Sequence, residues 1–298
     1  MGQESEFDPA RTSFTVTVKN QEIAYREFAI YVLPEESLAI ICTASNAPVD
    51  AAFEMSEGGT PVKSAPGQWT WQAPAQNGLN QMAIRAVNSG ETIQLNVFVM
   101  IPHSQVKGEY LNGYRIGKYP TKPLRGNPRY LPPAGFVEVT KENQDTKISP
   151  HFKLRQFLCK QAGGFPKYVL LQEVLLLKLE MILQKVNAAG FRSNTFNALS
   201  GYRTPFYNKA IGNVQYSRHV YGDAADIFVD DDEKNMMDDL NKDGKFTVLD
   251  AKVLYNLIDE LYDKPFYQPF IGGMVLYRKN ARRGPFVHVD VRGYKARW

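Results

Sequence analysis

Alternating hydrophobic and polar positions dominate the first hundred residues of the chain. Hydrophobic residues occupy every second position in runs at 14–18, 38–42 and 93–99. A period of two is typical of β-strands with one buried face, and turn-forming Gly, Pro and Asn residues separate these runs. We therefore predict that residues 1–102 form an immunoglobulin-like β-sandwich, although the Cys…Trp…Cys pattern of antibody domains is missing. No motif in this predicted accessory domain carries chemistry.

Between residues 103 and 148 this alternation stops. The segment contains the run GEYLNGYRIGKYPTKPLRGNPRYLPPAGF, which is rich in Gly, Pro and Tyr. Such a composition argues against regular elements and predicts an ordered, extended connector between two domains. The connector could lie along a groove beside an active site, or it could be a packed inter-domain linker without further function.

A helical period appears in the remaining residues, 149–298, which we predict to be a second domain of helices and strands. Ser149 and Pro150 suit the N-cap and the first position of a helix, so a helix is predicted to begin there. A core helix is predicted over 168–187, because its apolar residues form one broad face. Residues 191–199 then predict a strand. The whole chain is thus expected to be α+β.

The composition is that of a globular protein, and it narrows the classes of partner. A chain of 298 residues exceeds what a single hydrophobic core usually organises. The net charge of +4 is mildly basic, and Lys and Arg form no run beyond Arg282-Arg283, so nucleic-acid binding is not expected. The weak positive field would favour an acidic polymer such as a cell wall. Cys42 and Cys159 lie in different predicted domains and are expected to be buried free thiols.

The sequence shows no signal for membrane insertion or export. No apolar run reaches the roughly 18 residues that are needed to cross a bilayer. The first residues, MGQESEFDPARTS, lack the hydrophobic region of a signal peptide, and a leader removed before Met1 would leave the same sequence.

Two motifs in the second predicted domain carry candidate chemistry. The first reads SGYRTPFYNKAIGNVQYSRHVYGDAADI and spans 200–227, and the second reads GPFVHVDVRG and spans 284–293. Together they contribute His219, Asp226 and His288. Two imidazoles and one carboxylate are a common ligand set for a catalytic zinc ion, with a fourth position left for water.

The spacing of the first two candidate ligands excludes a simple helix. His219 and Asp226 are seven residues apart, which is about 10 Å along a helix and too far for one ion. Gly222 lies between them and allows a turn that leads into a strand, so that the Asp side chain folds back towards the His. His288 stands in the alternating run FVHVDV and is expected to arrive from a neighbouring strand.

The motifs SGYRTPxxN, SxHxxGxAxD and FVHVDxRG resemble those of the M15-type zinc D-Ala-D-Ala peptidases, a fold group shared with hedgehog and murein endopeptidases. The resemblance covers roughly residues 145–298. It implies a hedgehog/D-Ala-D-Ala-peptidase-like zinc domain with the three residues above as ligands. It also implies that Arg203 stabilises the oxyanion or binds the substrate, and that Ser217 lies near the substrate's carboxylate.

One position departs from the pattern of this family. Well-studied relatives have an acid three residues before the last histidine, where it is the general base for the zinc-bound water, but here Pro285 occupies that position. The nearest carboxylate is Asp290, two residues after His288 and on the same strand face. Asp290 is predicted either to act as the base or, in the favoured alternative, to support the zinc site without binding the ion. Asp223 and Asp230 are weaker candidates for the base.

A second metal site is predicted between the second and third zinc ligands. The run DLNKDGKFTVLD at 239–250 has the spacing of an EF-hand-type calcium loop, with Gly244 at the sharp turn and an Asp at the last position in place of Glu. The predicted ligands are Asp239, Asn241, Asp243, the backbone carbonyl of Lys245, and Asp250. Bound calcium would stabilise an insertion at about 230–262. The alternative is an acidic, solvated turn that caps a helix predicted over 248–262.

These patterns predict a zinc-dependent peptidase that hydrolyses peptidoglycan stem peptides or cross-links, of the D-Ala-D-Ala carboxypeptidase or murein endopeptidase type. The alternative is a catalytically weak zinc domain that binds cell-wall peptides or a protein partner, as Pro285 would permit. Calcium at the second site would also indicate a periplasmic or extracellular setting, where that ion is abundant.

Overall fold

The computed structural model of the chain describes residues 7–56, 58–231, 233–281 and 283–298. The first six residues of the predicted sandwich and Arg282 of the basic pair lie outside the described residues. The described part is a mixture of many strands and few helices, which confirms the α+β class. No helix in it is long and apolar enough to cross a membrane.

The first hundred residues form two β-sheets. Their strands are β1 (Arg11–Val18), β2 (Gln21–Tyr25), β3 (Glu27–Val32), β4 (Ser37–Ala44), β5 (Ala47–Pro48), β6 (Ala51–Met55), β7 (Val62–Ala65), β8 (Gln68–Gln72), β9 (Gly78–Ala86) and β10 (Thr92–Val99). One sheet has the order β2-β1-β4-β8-β7, with β5 also paired to β4, and the other has the order β3-β10-β9-β6. All neighbours pair antiparallel except β3 and β10, which are parallel.

The two sheets pack against each other through the alternating residues that the sequence singled out. Trp69 and Trp71 of β8 are both buried, as expected for residues two apart on one strand face. The Phe53 ring, on the other sheet, lies 5.1 Å from the Trp69 ring. The immunoglobulin-like assignment of this two-layer arrangement stays a prediction.

The connector contains more regular structure than its composition suggested. Strand β11 (Ile101–Pro102) lies just before the connector, which contains β12 (Tyr110–Leu111), β13 (Tyr114–Arg115) and β14 (Gly135–Val139). The prediction of no regular element is therefore wrong at 135–139, where strand β14 pairs with a later strand. The Tyr119 hydroxyl, buried in the connector, bonds the Tyr202 hydroxyl at 3.0 Å and the Val220 carbonyl at 3.1 Å. The connector is thus packed against the segment that carries the first motif.

The rest of the chain contains the helices and the remaining strands. The strands are β15 (Lys147–Ser149), β16 (Phe152–Lys153), β17 (Lys167–Val169), β18 (Asn197–Ser200), β19 (Ala224–Phe228), β20 (Met274–Tyr277) and β21 (Phe286–Asp290). The helices are α1 (Glu173–Ala188), α2 (Pro205–Ala210) and α3 (Val248–Asp259). Strands β18, β19, β21 and β20, in that order, form an antiparallel sheet.

Two helix predictions need correction. No α-helix begins at Ser149, because that buried residue ends strand β15 and pairs with Phe152 of β16 across a tight turn. The core helix begins at Glu173 and not at Tyr168, because residues 167–169 are paired with β14. In both places hydrogen bonds to a distant or turning strand outweigh the local helix signal.

Helix α1 is the central element that links the two predicted domains. It is buried on nearly every side, and its buried residues include the charged Glu173, Lys178 and Glu180. The Glu173 carboxylate accepts a hydrogen bond from the Tyr31 backbone N–H in β3 and pairs with Lys19, so the helix is tied to the first pair of sheets. Its other side contacts α3. Helix α3 in turn contacts β20 and β21, so α1 and α3 together support the sheet that carries the second motif.

Candidate metal centre

A short turn and a strand position the first two candidate ligands. His219 lies in a 3₁₀ turn, Arg218–Tyr221, and Asp226 lies in β19. Gly222 joins the two elements with a φ of 69°, a left-handed conformation that favours glycine. A Cβ atom at this glycine would stand 2.3 Å from the backbone oxygen of Leu170. The turn leading into a strand agrees with the spacing argument, and the close backbone contact adds a second reason for glycine.

The third candidate ligand comes from the neighbouring strand. His288 of β21 is paired directly with Asp226 of β19 in the antiparallel register. Directly paired residues present their side chains on the same face of the sheet. The His288 Nδ1 atom lies 2.8 Å from the Asp226 Oδ1 atom, and the His219 Nε2 atom lies 3.2 Å from each of them. All three side chains are buried.

Hydrogen bonds on the far side of each ring determine which nitrogen faces the centre. The Nδ1 atom of His219 lies 2.7 Å from the Gly201 carbonyl oxygen, which can only accept, so Nδ1 carries the proton and Nε2 presents a lone pair. The Nε2 atom of His288 lies 3.3 Å from the Asp290 carboxylate. When that nitrogen donates, the Nδ1 atom of His288 also presents a lone pair. Two lone pairs and the Asp226 carboxylate then converge on one point.

When His288 is deprotonated, such a convergence of electron-rich atoms is suited to bind a cation. Zinc ligands at about 2.0–2.2 Å from a tetrahedral centre stand roughly 3.3–3.6 Å apart. The two separations of 3.2 Å are close to this range, and the 2.8 Å between His288 and Asp226 is shorter and needs a small opening of the site. Metal-bound histidines usually donate their other ring nitrogen to a carbonyl or a carboxylate, as both histidines do. Among the described residues, the His, Cys, Asp and Glu side chains that gather in this way are His219, Asp226 and His288. The donor set therefore fits a zinc ion.

Arg203 lies directly beside this centre. Its Nη2 atom donates to the second oxygen of Asp226 at 2.7 Å, and its Nε atom donates to the Ser200 hydroxyl at 2.7 Å. The contact with Asp226 orients the other carboxylate oxygen towards the two histidines. The Nη1 atom of Arg203 bonds no described residue and remains available to a ligand. A cleft opens around this centre, and the half-buried Ser217, two residues before His219, is one of the residues that line it.

Asp290 is placed behind His288 and not beside the metal-facing atoms. Its carboxylate is fully buried and contacts the His288 nitrogen opposite to the one that faces Asp226. Arg292 and the Gly273 backbone N–H also donate to it. Burial raises the pKa of Asp290, but His288 and Arg292 together hold that pKa far below its usual range. The general-base role of Asp290 stays a prediction, and this placement behind His288 favours the alternative in which the carboxylate supports the zinc site.

The weaker candidates for the base are also placed elsewhere. Asp223 forms a buried ion pair with Arg218, whose Nε atom lies 2.9 Å from its Oδ1 atom. Asp230 accepts backbone hydrogen bonds from Lys234 and Asn235 in an exposed loop. Neither carboxylate lines the cleft around the metal centre.

An open cleft of about 890 Å³ surrounds the candidate metal centre. Among the described residues that line this cleft, Asp226 is the one acidic residue. The basic residues on its walls are Arg125, Lys160, Arg203, Arg218, Arg283 and Arg292, and the aromatic ones are Tyr130, Tyr207, Tyr216, Tyr277, Phe286, Tyr294 and Trp298. The cleft is therefore strongly basic and aromatic, although the net charge of the chain is small.

Two supporting residues escaped the sequence analysis. Lys178, wholly buried in α1, donates to the backbone oxygen of Asp290 at 2.7 Å and to that of Phe270 at 3.0 Å. Burial lowers the pKa of this lysine to about 7. Arg292 donates a hydrogen bond to the Asp290 side chain. Its position two residues after Asp290 in a predicted strand is the sequence feature that could have indicated this pair. Lys178 had no signal, because it lies among leucines in a helix.

The predicted calcium loop has its carboxylates turned to its own backbone. Asp239 accepts from the Gly244 N–H at 2.7 Å, and Asp243 accepts from the Lys245 N–H at 2.8 Å. Asn241 accepts from the Asp243 N–H, and Gly244 adopts a φ of 76°. Among the described residues these carboxylates are not gathered as those of the zinc set are.

The end of the same loop caps the helix that follows it. Asp250 accepts from the Thr247 N–H at 2.7 Å, and the Thr247 hydroxyl accepts from the Leu249 N–H at 3.1 Å. These reciprocal bonds form a capping box at the start of α3. The arrangement is that of the alternative interpretation, an acidic turn that caps the helix.

Metal binding at the centre is expected to depend on pH. Burial lowers the pKa of His288, but hydrogen bonds to the Asp226 and Asp290 carboxylates raise it to about 9 overall in the metal-free site. A proton must therefore leave His288 when a metal binds at neutral pH, whereas burial lowers the pKa of His219 and leaves that ring neutral. The apparent affinity should rise about tenfold per pH unit up to about pH 9.

Zinc titrations against a chelator of known affinity at pH 6, 7 and 8 would measure this dependence. The matching readout is the release of about one proton per bound zinc ion, measured calorimetrically in two buffers of different ionisation enthalpy. An affinity that does not change with pH across this range would contradict a protonated His288 in the metal-free protein.

Comparison with known proteins agrees with the motif resemblance. Residues 150–253 match the family model described as Peptidase M15. This match supports the M15 resemblance for that part of the chain and indicates a peptidase, in a family that is typically zinc-dependent. The matched range includes His219 and Asp226 and ends before β21, which carries His288. Searches of curated proteins and of solved structures returned no match.

Proposed function

We propose that the protein is a zinc-dependent peptidase that hydrolyses peptidoglycan stem peptides or cross-links, of the D-Ala-D-Ala carboxypeptidase or murein endopeptidase type. The observation that carries the proposal is the convergence of His219 Nε2, Asp226 Oδ1 and His288 Nδ1 in an open cleft. The Peptidase M15 match supports the reaction class. The motifs SxHxxGxAxD and FVHVDxRG support the cell-wall substrate, and they also favour a periplasmic or extracellular location.

The residues of the centre have separable roles in this proposal. A bound zinc ion would polarise the scissile carbonyl and lower the pKa of a water molecule. His219, Asp226 and His288 would hold the ion, and Asp290 keeps the His288 ring in the orientation and tautomer that this requires. The unengaged Nη1 atom of Arg203 is positioned to donate to a substrate oxygen on which negative charge develops.

The second candidate function is a zinc domain that binds wall peptides or a protein partner with little turnover. One observation favours it: the cleft lining contains no carboxylate besides the ligand Asp226 among the described residues. Pro285 occupies the position where relatives have an acid. Ser217, at the edge of the cleft, is proposed to contact a substrate carboxylate under either function.

Purified muropeptides distinguish the two functions. The zinc-loaded protein is incubated with them, and the products are separated and identified by mass. Release of D-Ala or cleavage of cross-links that stops on addition of chelator supports the peptidase. Chelator-sensitive binding without any cleaved product supports the binding module and contradicts the peptidase.

Asp290→Asn should weaken zinc binding by about 10- to 100-fold, because the His288 ring loses the charged partner that orients it. The affinity is measured by chelator competition, and turnover is measured with zinc in large excess. A supporting role predicts that excess zinc restores most of the turnover. A loss of turnover that persists at saturating zinc would instead support the general-base role of Asp290.

A matched control exists for this substitution. Asp259 also pairs with an arginine, Arg297, at 2.9 Å, and it does not line the cleft. Asp259→Asn should leave zinc affinity unchanged. An equal effect of both variants would show that the loss reflects general destabilisation.

The loop at 239–250 is proposed to bind calcium when the ion is abundant. Support comes from the spacing of its oxygen-bearing residues and from the left-handed turn at Gly244. Calcium at about 10 mM should raise the melting temperature of the protein, because the ion binds only the folded loop. Asp239→Asn should abolish the increase, and Asp263→Asn, at an exposed position outside the loop, should preserve it. A melting temperature that calcium does not change would favour the helix-capping interpretation.

A further inference from the structure

The positively charged side chains of the cleft, five arginines and one lysine, fall into two groups that differ in their partners. Three of them already form ion pairs with aspartates and are largely neutralised. These pairs are Arg203 with Asp226, Arg218 with Asp223, and Arg292 with Asp290. Arg125, Lys160 and Arg283 also line the cleft and form no ion pair with a described residue.

Arg283 differs from the other two because it is held in place. Its guanidinium lies 4.3 Å from the centre of the Phe286 ring and 5.3 Å from that of Tyr277. These two rings stack on each other at 4.7 Å with an interplanar angle of 16°. Such a shelf orients the planar guanidinium and removes part of its hydration. The backbone of Arg283 is also bound, because it exchanges hydrogen bonds with Asn280.

Among the described residues, the Arg283 side chain nevertheless has no hydrogen-bond acceptor. None of its side-chain N–H groups bonds a described residue, and its Nη1 atom is enclosed without a partner. A partly desolvated cation is attracted more strongly to an anion than a fully hydrated one is. The fork of a guanidinium matches the two oxygens of a carboxylate. Because Arg283 lines the cleft and its Nη1 atom is enclosed, the other N–H groups of the guanidinium are the ones that can bind a carboxylate entering the cleft.

The distance from the metal centre defines where this carboxylate lies on a substrate. Phe286 and His288 are two apart on β21 and face the same side, so about 7 Å separates them along the strand. A peptide bound in extended form advances by a similar length over two residues. Since the guanidinium lies over the Phe286 ring, we place it about two substrate residues from the bond at the metal centre for a peptide that follows β21.

We propose that Arg283, held on the Tyr277–Phe286 shelf, is a subsite for a peptide carboxylate about two residues from the hydrolysed bond. The inference rests on the proposed peptide hydrolysis and narrows its substrate class to acidic peptides with a free carboxylate at that position. Lys160 and Arg125 add to the positive field of the cleft but lack an ordered shelf.

The test uses two synthetic peptides that differ only in one group. The first has a free carboxylate two residues from the bond cleaved in muropeptides, and the second has a carboxamide there. For the zinc-loaded protein, kcat/KM should be about 10- to 100-fold higher for the acid, as expected for a charged hydrogen-bonded pair. Arg283→Gln should remove this preference by lowering kcat/KM for the acid and leaving that of the amide nearly unchanged.

Two further variants separate the subsite from general charge and from loss of folding. Arg278→Gln removes an exposed arginine of the same region that does not line the cleft, and it should keep the preference. Arg283→Lys keeps the charge without the planar fork and should retain only part of it. A preference that survives in Arg283→Gln, or an equal loss for both peptides in a folded variant, overturns the subsite.

Binding measurements on the metal-stripped protein separate this proposal from the proposed function. Calorimetry should show tighter binding of the acid than of the amide, and Arg283→Gln should abolish the difference. If that result is obtained while no peptide is cleaved by the zinc-loaded protein, the subsite stands and the peptidase fails. Equal affinities for the two peptides, or no binding of either, overturn the subsite whatever the hydrolysis result.

Discussion

His219→Ala is expected to lower chelator-sensitive peptide hydrolysis by on the order of 10³-fold or more, a barrier increase of about 4 kcal/mol. The substitution removes Nε2, one of three atoms that converge at 2.8–3.2 Å, and leaves Asp226 and His288 as an incomplete pair of ligands. Zinc content should fall with the activity. Metal analysis of the purified variant and initial rates on muropeptides are the two measurements.

The control for this prediction is another histidine. His103 lies near the aromatic rings of Tyr119 and Phe136 and does not line the cleft. His103→Ala should retain bound zinc and most of the activity, at some cost in stability. If His219→Ala retained stoichiometric zinc and normal turnover, the metal centre would have to lie elsewhere and the proposed function would lose its main support.

Gly222→Ala is expected to lower the free energy of unfolding by about 3 kcal/mol or more. A left-handed residue other than glycine costs roughly 1–2 kcal/mol, and forced overpacking adds typically 1–3 kcal/mol. The second cost applies here because the new Cβ atom would stand 2.3 Å from the Leu170 backbone oxygen. The backbone between His219 and Asp226 would have to move, so zinc affinity should fall as well. Urea unfolding of the metal-free protein measures the stability term.

Gly212 supplies the matched control for the backbone effect. It also has a positive φ, 75°, but no atom lies within 4 Å of a Cβ atom built on it. Gly212→Ala should therefore cost only the conformational part, roughly 1–2 kcal/mol, and should not change zinc affinity. Equal costs for the two variants would show that the contact with Leu170 does not constrain the turn.

Much of the candidate site could be predicted because its information is local. The left-handed turn at Gly222 depends on the conformational freedom of one residue, and Asp226 follows within the same short run. His288 lies in an alternating run that predicts a strand by itself. The direct pairing of Asp226 with His288 is not local, but the resemblance to the M15 motifs supplied what spacing could not.

The errors arose where a distant partner competes with a local preference. Ser149-Pro150 is a good helix start, yet Ser149 pairs with Phe152 in a hairpin. Residues 167–169 have a helix-like pattern and pair with β14, about thirty positions earlier in the chain. In both segments, pairing with another strand determines the local structure. That pairing depends on the order of the strands in the sheet, which cannot be predicted from a short stretch of neighbouring residues.

The sequence by itself determined the α+β class, the candidate ligands and the turn that joins the first two, because strand alternation and glycine conformation act over a few residues. The tertiary structure decided the surroundings of Asp290, whose backbone oxygen accepts a hydrogen bond from Lys178, 112 positions earlier in the chain. It also decided that Arg283 forms no ion pair with a described residue, whereas Arg203, Arg218 and Arg292 of the same cleft each pair with an aspartate. These surroundings depend on which charged and aromatic side chains contact one another in the folded protein. Contacts between residues far apart in the sequence are determined by packing, and the spacing of residues along the chain does not predict them.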